Sequence, residues 1–158
     1  MFITYGKLIK LLNKKYLIIV KYPLVLIGLM LCVSGFRWMI SSEPWLLDQV
    51  ANEERLKMTF VELFDISGNE TLSKYLTQIY RFLGLYVLGI GALILSFLSE
   101  KTLLIGGIRN KVLLVLGALL VTNLIVAYYW IPSSHFIYLM WLAIILYSIS
   151  LYYSRLIK

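Results

Sequence analysis

The sequence predicts an all-α integral membrane protein: an antiparallel four-helix bundle with an outer amphipathic helix between the first and second spans. Composition is the first observation. The chain has 158 residues, 61% of them hydrophobic, and a mean hydropathy of +0.85, whereas soluble domains are roughly 45–50% apolar. The second is segmentation. The apolar residues gather into four runs, at about 16–36, 79–98, 112–131 and 136–153, and about twenty such residues span a bilayer. The third is charge. The net charge is +7, and the basic residues sit in alternate connections, the pattern that orients membrane proteins. Residues 1–158 form one membrane domain on this view.

The chain opens on MFITYGKLIKLLNKKY. Lys7, Lys10 and Lys14 share one helical face, with Ile3, Leu8, Leu11 and Leu12 largely elsewhere. This segment is either a basic helix lying at the headgroups or an extension of the first span. Within that span Lys21 is placed to snorkel, and Pro23 is expected to bend the helix or to start its regular part. Gly28, Cys32 and Gly35 make a small-residue stripe suited to close helix contact. Arg37 and Trp38 mark its far end.

Residues 37–78 are the one sizeable connection, and 39–78 hold seven of the eight acids. LKMTFVELFDI, residues 56–66, places Leu56, Phe60, Leu63 and Phe64 on one side of an expected amphipathic helix. Asp65-Ile-Ser-Gly-Asn69 ends it in a turn. The second span follows and carries Arg81, Gly84, Gly89 and Gly91. No strand precedes those glycines, so they read as packing positions rather than as a phosphate loop. Gly106-Gly107 breaks the next connection. The third span ends on Tyr128-Tyr129-Trp130, an interfacial belt. Pro132-Ser-Ser-His135 is so short a link that the third and fourth spans must be neighbours.

Lys7, Lys10, Lys14, Lys15 and Lys21, then Lys101, Arg109 and Lys111, then Arg155 and Lys158 all fall on one side of a four-span arrangement. That places both termini in the cytoplasm and the acidic loop outside. Nucleic acid is not an expected partner, because no basic stripe with interleaved aromatics lies outside the apolar segments.

Candidate sites are few. Arg81 and Arg37 sit at the outer ends of spans two and one, where they would pair with Glu43, Glu62 or Asp65, or form a cationic mouth for an anionic headgroup. Tyr86 and Asn123, with Ser34 and Cys32, suggest a polar layer in the outer half. It would serve either as interhelical hydrogen bonding or as the lining of an outer-leaflet cavity. His135 is the only histidine and Cys32 the only cysteine, so no metal site and no cofactor is expected. The carboxylates Glu53, Glu54, Glu62 and Asp65 are the remaining acid–base candidates.

The glycine-bearing first span, the outer segment ending in LFDI, and the Arg81-x-x-Gly84-x-x-x-x-Gly89-x-Gly91 span resemble the DoxX-like superfamily of small four-helix membrane proteins, in its uncharacterised bacterial branches. The resemblance covers about Pro23 to the C-terminus. It implies a compact four-helix bundle with an accessory role: some relatives are described as subunits of quinol-oxidising complexes, others as assembly factors. It carries over no cofactor ligand and leaves Met1–Lys15 unplaced.

The leading functional expectation is a non-enzymatic accessory or assembly partner of other membrane proteins, in the bacterial inner membrane, associating through faces such as Gly28/Cys32/Gly35. The alternative is a binder or carrier of a lipid or other lipophilic molecule, near Tyr86 and Asn123 with Arg81 at the mouth. A membrane enzyme using the outer carboxylates is the third.

Overall fold

The computed structural model describes the backbone of residues 2–157, with the side chains of Lys7 and of residues 11–157. Lys158, counted above with the basic tail, and the side chains of Ile3, Leu8 and Lys10 lie outside the described residues. Among the described residues every regular element is helical. Helix α1 is Phe2–Ile40, and a 3₁₀ turn follows at Pro44–Asp48. Then come α2 (Gln49–Leu56), α3 (Phe60–Asp65), α4 (Leu72–Ser96), α5 (Glu100–Leu104), α6 (Gly106–Trp130) and α7 (Phe136–Ser154). Four segments, Leu11–Ile40, Leu72–Ser96, Gly106–Trp130 and Phe136–Ser154, are long and apolar enough to cross a membrane. The chain has the make-up of a multi-pass membrane protein.

Helix α1 has 39 residues, about 58 Å at the helical rise, against a hydrocarbon core of about 30 Å. Its basic start is therefore the extension of the first span. Pro23 neither starts nor ends the helix; it is buried inside it. A mid-helix proline removes an N–H and frees carbonyls in the preceding turn. Three residues before Pro23, the Val20 carbonyl accepts a buried hydrogen bond from Ser150 Oγ of α7 at 2.9 Å, which ties the turn before the proline to a neighbouring helix.

The amphipathic helix expected over residues 56–66 is shorter: Leu56 ends α2, and only Phe60–Asp65 form a helix, α3. Lys57 turns left-handed, at φ 58°, and closes α2. Thr59 then opens α3 with a capping box: its Oγ1 accepts from Glu62 N at 3.2 Å, and its own N–H donates to Glu62 Oε2 at 2.7 Å. Thr-x-x-Glu is a helix start, and it overrides the apolar periodicity running through it. Phe60 and Phe64 close over Trp45, with ring centroids 6.2 and 5.4 Å away. The turn after α3 forms as expected around Gly68, at φ +97°.

The long helices meet in the order α4–α1–α7–α6, with α5 against α1 and α6. The adjacency expected of the third and fourth spans is present between α6 and α7. Leu17, Val20, Leu24 and Ile27 of α1 are buried with Ile94 of α4, Leu103 of α5, Leu113 and Leu116 of α6 and Ala143 of α7.

The α1–α4 contact is backbone against backbone. A Cβ on Gly35 would stand 2.4 Å from Leu88 N and 2.5 Å from the Gly84 carbonyl. One on Gly91 would stand 2.7 Å from the Gly28 carbonyl and 2.8 Å from Cys32 Sγ. Gly28, Cys32, Gly35, Gly84 and Gly91 are therefore packing positions. Gly89 is not, since a Cβ there would meet nothing within 4 Å. It lies five residues past Gly84, roughly 140° round the helix. The stripe offered above as a face for partners is also corrected: Gly28, Cys32 and Gly35 are covered by α4.

Candidate functional site

The four residues expected to line an outer cavity do not converge. Tyr86 of α4 is 69% exposed, and Arg81 beside it is exposed. Asn123 of α6 is exposed, and its Nδ2 donates back to its own helix at Leu119 O, 2.8 Å. The extensive helix contacts run α4–α1, α1–α7 and α7–α6, so Tyr86 and Asn123 stand on helices that do not pack extensively against each other. Arg37 is exposed at the end of α1. The expected pairing of Arg37 or Arg81 with Glu43, Glu62 or Asp65 is absent: among the described residues the one ion pair joins His135 Nδ1 to Asp48 Oδ1, at 3.1 Å.

That pair belongs to a strap across one end of the helices. The Asp48 carboxylate also accepts from Ser134 Oγ at 2.5 Å. Ser133 Oγ donates to Glu54 Oε2, and the Arg55 guanidinium lies 4.6 Å from the centre of the Trp130 ring. The acidic segment thus ties down the α6–α7 turn. Asn52 secures its other side, donating to Trp45 O at 3.0 Å and to the Tyr80 hydroxyl at 3.2 Å.

The carboxylates of the 39–78 segment have separate surroundings. Glu53 Oε1 accepts from Phe60 N and from Gln49 Nε2. Glu62 caps α3, and the backbone N–H of Thr59, then its hydroxyl, hold the Glu62 carboxyl below the usual range. Glu70 is lowered in the same way, by its own backbone N–H and then by that of Gly68. Asp65 is exposed. Among the described residues no group of three or more His, Cys, Asp or Glu is gathered closely enough to hold a metal ion.

A pocket lies at the other end, where α6 begins and α7 ends. It is an open cleft of about 630 Å³ whose polar lining includes Arg109, Asn110, Ser154 and Arg155. Arg109 is the one charged residue that is buried among those described, at 7% exposure. Its Nε donates to Ser154 Oγ at 2.9 Å and its Nη1 to the Leu103 carbonyl at 2.8 Å. One side chain so joins α5, α6 and α7. Sequence reading counted Arg109 only as a topology charge. The available signal was its position: three residues after Gly106-Gly107, it rides on the first turn of α6 facing the core.

Comparison of the chain with family models, with curated proteins and with solved structures finds no match.

Proposed function

We propose that this chain is a non-enzymatic accessory or assembly partner of other membrane proteins, built as an antiparallel four-helix bundle with both termini cytoplasmic, in the bacterial inner membrane. The pairs Gly28–Gly91 and Gly35–Gly84 support opposed directions for α1 and α4. The short link 131–135 supports the same for α6 and α7. The distribution of Lys and Arg supports the orientation. A DoxX-like relationship stays within this proposal, resting on the residues that carry the resemblance.

The single observation behind the accessory role is Asn123. It stands on the exposed side of α6, beside the exposed Thr122, in the body of a span. Among the described residues its side chain makes one hydrogen bond, from Nδ2 to its own helix at Leu119 O, which leaves the amide free to take a further partner. In hydrocarbon an amide gains about 0.6–2 kcal/mol from a partner on a facing helix. A hydrogen-bonding helix of another membrane protein, laid along this side of α6, supplies that partner.

The test is particle mass in native-lipid discs formed without detergent. Wild type is expected in a particle heavier than one 18.3 kDa chain, and Asn123→Leu is expected to release it as a single chain. A single chain for the wild type refutes the proposal, and a homo-oligomer would replace the heterologous partner by a second copy.

A further inference from the structure

We infer that the cleft between the start of α6 and the end of α7 holds the phosphate of an anionic phospholipid, with Arg109 and Arg155 as its counter-ions. This inference is independent of the accessory role, which concerns the exposed side of α6 at Asn123.

The argument starts from the charge of Arg109. A guanidinium keeps its charge in any protein setting, and a buried charge is costly unless it is compensated. Both hydrogen-bond partners of Arg109, the Ser154 hydroxyl and the Leu103 carbonyl, are neutral. Among the described residues no carboxylate lies within ion-pair distance of it. Two of its five N–H donors are engaged by these partners. No buried side-chain nitrogen or oxygen among the described residues lacks a partner, and Arg109 lines the cleft. The site therefore has a fixed positive charge in its lining and no anion from the described residues.

The rest of the cleft selects the kind of anion. Arg155 brings a second cation to the same opening, and Asn110 adds an amide. Below these polar groups the wall continues as Leu113, Leu114 and Leu151. A small soluble anion would leave that apolar wall unused, whereas a phospholipid fills both parts, its phosphate on the arginines and an acyl chain along the leucines. The volume of about 630 Å³ lies within the range of roughly 300–1,000 Å³ usual for small-ligand sites. The position agrees as well. The cleft is at the ends of two membrane-length helices, and the exposed Lys101 and Lys111 lie on α5 and α6.

Two phospholipids with the same phosphodiester make the probe. Phosphatidylglycerol is anionic. Phosphatidylcholine carries a trimethylammonium group that would be set against Arg155. The full chain, delipidated in detergent, is titrated with each lipid and read by native mass spectrometry. Phosphatidylglycerol is expected to be retained in preference to phosphatidylcholine. Arg155→Gln, whose side chain is exposed and makes no ion pair, is expected to fold and to retain it about fivefold more weakly. Arg109→Gln is expected to lose it further; should that variant not fold, Arg155→Gln decides alone. Arg81→Gln, on α4, is expected to match wild type. Equal retention of the two lipids, or full retention by Arg155→Gln, leaves Arg109 as a clamp between helices and overturns the inference. Displacement of bound lipid by inorganic phosphate would assign the site to the free ion and overturn the lipid assignment.

Discussion

The α1–α4 seam makes the sharpest test of how this protein is held together, through the substitution Gly35→Ala. The new methyl carbon would fall 2.4 Å from Leu88 N, 2.5 Å from the Gly84 carbonyl oxygen and 2.9 Å from Leu88 Cα. All three are backbone atoms, so no rotamer change relieves the overlap, and the two helices must separate by about 1 Å to restore ordinary contact. A gap of that size forfeits roughly a quarter to a half of each dispersion well along the seam. Overpacking of a tight site costs about 1–3 kcal/mol. A loss of about 2 kcal/mol is therefore expected, up to thirtyfold in the folded-to-unfolded ratio. Gly89→Ala is the matched control, on the same helix with open space at its Cβ. Alanine there is expected to be neutral or to add up to about 1 kcal/mol through helix propensity. The assay is reversible unfolding in mixed micelles, titrated with a denaturing detergent and followed by circular dichroism. Equal stability for Gly35→Ala and wild type would refute this account of the seam, as would a larger loss for Gly89→Ala.

Other outcomes follow from individual contacts. Ser150→Ala removes the hydroxyl that donates to the Val20 carbonyl, three residues before Pro23, and is expected to cost about 1 kcal/mol in the same unfolding assay. Asp48→Ala leaves the buried Ser134 hydroxyl without its acceptor and frees His135; hydrogen exchange at Ser134 and Ile137 should quicken, with a cost of about 1–3 kcal/mol. Glu62 has a pH signature. Its carboxyl is lowered by hydrogen bonds from Thr59, so the cap is complete at neutral pH and is lost as pH falls through the lowered folded value. Thr59→Val should move the Glu62 titration, followed by carboxyl carbon NMR, back up toward the ordinary range, and α3 amides should lose protection. An unmoved titration would mean that the Thr59 hydroxyl contributes nothing to the cap.

Much of this architecture follows from the order of residues alone. Four membrane-length helices are dictated by runs of apolar side chains, because a backbone in hydrocarbon must satisfy its hydrogen bonds within the segment. The turn at Gly68 and the contact of spans three and four are local consequences of a glycine and of a short link. The small-residue stripe on α1 was visible as spacing, since glycine has no Cβ wherever it is placed. Which surface it meets is not a local property. Only the tertiary structure set Gly35 against Gly84 rather than against a partner, turned Gly89 away, and left Tyr86 and Asn123 exposed on helices that do not pack extensively together. Arg109 shows the same division. Its charge and its place near a helix start were readable, but its burial depends on Leu103 before it and on Ser154, 45 residues later. Long-range contacts of that kind arise from how helices dock, and docking depends on the matched shapes of two surfaces, which no single segment encodes.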